Sequence, residues 1–129
     1  MLKKLPSRAR DVATRYPKVF RAFEHLGAVA SEAGPISGKE RRLVKLALAI
    51  GRGAEGAVHS HVRQAVAEGV SAAKIRHVAM LGITTLGFPA AVSAMTWIED
   101  VLGSKEVARG RAAQAAKRPA GKRAKAKQS

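Results

Sequence analysis

Apolar residues recur every three to four positions along most of the chain, the spacing that places them on one face of a helix. In a first stretch, from about Ser7 to Ala33, they are Val12, Tyr16, Val19, Phe20, Phe23, Leu26 and Ala30. Pro17 lies inside this stretch and is expected to break or kink it, because proline has no amide proton to give the preceding turn. Ser37-Gly38-Lys39-Glu40 then reads as a capping box. In that pattern the Ser37 hydroxyl accepts from the Glu40 amide and the Glu40 carboxylate reaches back. A second helix is expected from there to about Arg52. Leu43, Val44, Leu46, Ala47, Leu48 and Ile50 make it apolar on nearly every side, as befits a central element.

A third helix, about Ala54 to Glu68, carries Val58, Val62, Ala65 and Val66 on one stripe and stops at Gly69, a residue type suited to ending helices. Ser71 is placed to cap a fourth, whose inner face would be Ile75, Val78, Ala79, Gly82, Ile83 and Leu86. Gly87-Phe88-Pro89 reads as a stop followed by a start. The fifth helix then carries Ala91, Ala94, Met95, Ile98 and Leu102 inward. No segment alternates as a strand does, so the expected fold is all-α, a compact helical bundle with short connections. Residues 1–104 form that domain in this reading, and 105–129 a basic low-complexity tail.

Charge separates the two parts. The formal net charge is +15, and after Gly103 the chain has Lys105, Arg109, Arg111, Lys117, Arg118, Lys122, Arg123, Lys125 and Lys127 against Glu106 alone. With no large apolar residue beyond Val107, disorder is expected from about Gly110 onward, because too little surface can be buried to offset the entropy of ordering. The interval Val78 to Ile98 carries no charge and has the length of a membrane span. Thr84, Thr85, Ser93 and Thr96 dilute it and Pro89 interrupts it, so two buried helices are expected rather than a span. No signal-like apolar run follows the basic start, and a cytoplasmic location is the default.

The chain has no cysteine, which removes disulfides, thiolate metal sites and thiolate catalysis. That absence matters at Gly53-Ala54-Glu55-Gly56-Ala57-Val58-His59-Ser60-His61. The segment, with Leu43 to Ile50 before it and Glu68-Gly69-Val70, Ala73 to Val78 and Gly87-Phe88-Pro89-Ala90-Ala91 after it, resembles the carboxymuconolactone decarboxylase and alkylhydroperoxidase-D superfamily. Redox members of that superfamily carry Cys-x-x-Cys-x-x-x-His, and on that template Ala54 and Ala57 stand at the cysteines and His61 at the histidine. The acid that redox members place twelve residues before the first cysteine is here Arg42. The resemblance therefore implies the fold without the thiol peroxidase activity. It also implies assembly as trimers or hexamers built from dimers. The His61-Val62-Arg63 sequence places the chain nearer the decarboxylase members.

Positions 54, 57, 61, 65 and 68 share a helix face, so small residues leave room beside the His61 imidazole. Histidine exchanges protons near neutral pH, which makes His61 the candidate catalytic residue, with a satisfied core histidine as the plain alternative. Arg42 is the candidate substrate-binding residue. If it lies near His61, its guanidinium can anchor a carboxylate; otherwise it belongs to the solvated cluster Lys39-Arg41-Arg42-Lys45. Glu55 and His59 share another face, where a surface ion pair is preferred over a metal site. His25, His77, Phe88 and Trp97 are assigned no role.

The expected function is acid or base chemistry on a small lactone or carboxylic acid, a decarboxylase or lyase reaction with no cofactor and no metal. The alternative is a silent oligomeric scaffold whose tail binds nucleic acid non-specifically through phosphate neutralisation.

Overall fold

A computed structural model describes residues 5, 7–103 and 112–117. Through residue 103 the described residues form six helices in succession: α1 (Ser7–Arg15), α2 (Pro17–Glu32), α3 (Gly38–Arg52), α4 (Glu55–Ala67), α5 (Ala72–Leu86) and α6 (Phe88–Leu102). The described residues contain no strand. The first expected helix is two, because Pro17 breaks it completely: Tyr16 leaves the helical region at φ −128°, and Pro17 opens α2 at a position where no amide bond is needed.

The core lies among α3, α4, α5 and α6. Leu46, Ile75, Ile98, Val58 and Val62 are fully buried, joined by Ala49, Ile50, Ala65, Ala79, Ala94 and Leu102. Apart from Ala49 these are inward positions that helical spacing predicts, whereas Leu86, expected on the inner face of α5, is exposed at the helix end. α5 packs on α6, α3 on α4, α4 on α6 and α3 on α5, whereas α1 packs on α2.

On the first half of the chain apolar faces stay exposed, and the expectation of a central, surrounded second helix holds on one side only. α2 buries none of its residues, and Val19, Phe23, Leu26 and Val29 are exposed, Phe23 by 67%. α3 is not surrounded: Leu46, Ala49 and Ile50 are buried, but Val44 and Leu48 face outward, Leu48 at 68%. Among the described residues nothing covers the second apolar side of α3 or the stripe of α2.

The capping box also does not form. Ser37 is the N-cap of α3, but its side chain makes no capping bond. Gly38 follows at φ +57°, so the helix starts from a left-handed residue that carries the Ser37 hydroxyl out of the usual frame. Ser71 does cap α5, accepting from the Lys74 amide at 3.3 Å. In the tail, 112–116 is a short exposed helix. Ala112, Ala113, Ala115 and Ala116 explain it, since alanine is the strongest helix former. The rest of the tail lies outside the described residues.

Candidate functional site

α3 and α4 are joined by a tight connection at Gly53, which adopts φ +71° and returns its amide to Ala49 and Ile50. A left-handed turn is open to glycine without a Cβ clash, and here it sends α4 back along α3. Arg42 stands eleven residues before Gly53, while His61 and Glu68 stand eight and fifteen after it. With equal rise in both helices, Arg42 therefore lies level with a point between His61 and Glu68, which are two turns apart on one face of α4.

The side chains use that placement. The Arg42 Nε donates to Glu68 Oε1 and Oε2 at 3.2 and 3.1 Å, Nη2 donates to Glu68 Oε1 at 2.8 Å, and Nη1 lies 2.9 Å from His61 Nδ1. The Arg42 side chain is only 14% exposed, so it is not a solvated member of a surface cluster. Arginine stays cationic and can only donate. Nδ1 of His61 is therefore the acceptor, and the neutral ring carries its proton on Nε2. Burial first, then the charges of Arg42 and Lys45, push the His61 pKa below its ordinary value, and Glu68 offsets this only in part. The hydrogen bonds from Arg42 hold the Glu68 carboxyl below the usual carboxylate range.

The positions that carry thiols in redox relatives hold only methyl groups, with Ala54 and Ala57 both half-buried. Beside the site, α2, α3 and the segment between them enclose a cleft of about 340 Å³ lined by Ala30, Pro35, Ile36 and Val44, with Arg41 and Lys45 contributing charge. Arg41 donates to the Ser31 carbonyl at 2.8 Å. The cleft does not include His61, but Lys45 lines it and also acts on His61 electrostatically.

His59 does not form the expected pair with Glu55. Its Nε2 lies 3.0 Å from Asp100 Oδ2 on α6, because α4 packs against α6 along this side. Trp97 packs partly buried against the core, whereas Phe88 is 67% exposed. Glu68 was missed as a partner of Arg42; the only signal for it was its place two turns beyond His61 on the same face.

Residues 17–100 match the model of the carboxymuconolactone decarboxylase family. The chain belongs to that family. It is also 34% identical over 55 residues to an uncharacterized protein from Haemophilus influenzae, a match covering 43% of this chain and 49% of that one. The chain thus spans about half the length of the curated relative it matches. No solved structure matches. The family member described here keeps the motif histidine, has no thiols and replaces the motif acid by Arg42. No helix among the described residues is long and apolar enough to cross a membrane.

Proposed function

We propose that this family member acts on a small lactone or carboxylic acid, as a decarboxylase- or lyase-type enzyme whose chemistry is carried by side chains, in the cytoplasm. The observation that carries the reading is the 2.9 Å contact from Arg42 Nη1 to His61 Nδ1. While Nδ1 accepts from Arg42, Nε2 has a proton to offer and no lone pair to receive one. His61 is then a neutral hydrogen-bond donor to a substrate oxygen. That group suits a lactone carbonyl, or the enolate oxygen that takes up the electron pair as carbon dioxide leaves.

Arg42 keeps a part in substrate binding. Of its five N–H groups, three are used on Glu68 and His61, which leaves two for a carboxylate. Glu68 neutralises much of its charge, so Lys45 supplies the remaining attraction for an anion lying between the cleft and His61. A thermal-shift screen of small carboxylic acids and lactones tests this, because a ligand of the native state raises the melting midpoint. A shift seen with the wild type and lost in His61→Ala is expected; equal shifts in both would place the ligand elsewhere.

The reading includes assembly into a trimer or hexamer, with residues 1–104 as the helical domain and 105–129 as its tail. A second reading rests on the nine Lys and Arg residues after Gly103 opposed by one Glu. In it the oligomer presents its tails to nucleic acid, with affinity that falls steeply with salt and multiplies with tail number. Truncation after Gly103 separates the two, abolishing DNA retention in the second reading and leaving pocket ligands bound in the first.

A further inference from the structure

The side of α4 away from Arg42 carries a second group of chemically capable side chains. Glu55 and His59 are four residues apart on α4, and packing of α4 on α6 brings Asp100 to them. One donor atom from each lies within 4.8 Å of the other two. We propose that Glu55, His59 and Asp100 form a binding site for a divalent metal of the zinc type, clamping the start of α4 to the end of α6.

The donor set is one imidazole nitrogen and two carboxylate oxygens, which zinc accepts at about 2.0–2.2 Å. Around a tetrahedral ion, ligands at those distances sit about 3.3–3.6 Å from one another. The 3.0 Å between His59 Nε2 and Asp100 Oδ2 is a hydrogen-bond distance, a few tenths of an ångström inside that spacing, and a small side-chain rotation would open it for the ion. Glu55, which is exposed, has the rotamer freedom to close the remainder. His59 is the anchor: its side chain is 22% exposed, against 50% for Asp100.

The chain has 24 Lys and Arg for 9 Asp and Glu, so a carboxylate here meets a cationic side chain easily. Glu32, Glu68 and Glu99 do so, pairing with Arg41, Arg42 and Arg76. Asp100, next in sequence to Glu99, instead meets His59, and Glu55, like Glu24 and Glu40, is in no ion pair among the described residues, so its carboxylate is not already held by a cation. Three donors on two packed helices leave coordination positions for solvent, as in an open zinc site. Since His59 and His61 project from different sides of α4, this site and the Arg42-His61-Glu68 group are separate.

Untagged full-length protein, stripped with a chelator and titrated with zinc chloride in a calorimeter, tests the proposal. One ion per chain is expected to bind, with a rise in melting midpoint that the chelator reverses. His59→Ala, Asp100→Asn and Glu55→Gln should each weaken binding about 10-fold or more, as loss of metal-site groups does, whereas His61→Ala should keep it. Cobalt(II) titrated in place of zinc should give visible absorption bands that vanish in Asp100→Asn, a signature that general loss of stability does not produce. Absence of stoichiometric zinc binding overturns the site. So does unchanged affinity in Asp100→Asn or Glu55→Gln, which would leave His59 and Asp100 as a plain hydrogen bond between helices, and so does loss of binding in His61→Ala.

Discussion

At the scale of single residues, the Arg42 guanidinium sets the state of its two neighbours in opposite ways. Burial does most to favour the neutral His61 ring and the Arg42 charge adds to it, while the Arg42 hydrogen bonds favour the ionised Glu68 carboxyl. Arg42→Met should therefore raise the His61 pKa towards its ordinary value, and Glu68→Gln should lower it further, both read from the imidazole proton shifts in an NMR titration. A change of the same sign in both variants would contradict the contact. Both groups have folded-state pKa values depressed below those of the unfolded chain, so the unfolded state takes up protons first as the pH falls. Stability is then full above about pH 6.5, the ordinary histidine value, and declines as pH drops, first through His61 and then through Glu68. Urea midpoints measured from pH 7.5 to 4 should fall monotonically in the wild type and less steeply in His61→Gln. His61 and Arg42 could be picked out in the chain because each occupies a position in a spaced motif. Glu68 and Asp100 could not: their partners lie 26 and 41 residues away, and only helix packing brings them together.

The helices themselves were readable because three- to four-residue periodicity reports directly on a one-sided burial. Ser71 and Ser37 show where that kind of reading stops. Each is the N-cap serine of a helix, yet only the Ser71 hydroxyl accepts an amide. Ser71→Ala should cost about 1 kcal/mol and Ser37→Ala close to nothing, a contrast that chemical denaturation resolves. The difference lies in Gly38, whose left-handed start to α3 no residue pattern announced. At Gly53 an added Cβ would meet no atom within 4 Å. Gly53→Ala should therefore destabilise only through its backbone, by about 1 kcal/mol, again by denaturation.

Across the whole molecule, the chain is divided between a dense four-helix core and an arm that buries little. Ile98 is fully buried among helices, and Ile98→Ala should cost about 2–5 kcal/mol. The arm behaves differently, since α2 exposes Phe23 and Leu26 and α3 exposes Leu48. If a second chain covers these residues, Phe23→Glu should shift the protein to monomer in analytical ultracentrifugation while leaving the α3–α6 core folded by circular dichroism. Helical periodicity placed these residues on one stripe, but it cannot tell whether another surface covers that stripe, and none among the described residues does. An α2 with no buried residue and a core that stands without it also has a kinetic consequence. Backbone amides of α2 should exchange with deuterium within seconds in dilute solution and slow down as protein is added, while those of α4 and α6 keep the same protection at every concentration. The arm would then report, amide by amide, how crowded the protein is with copies of itself.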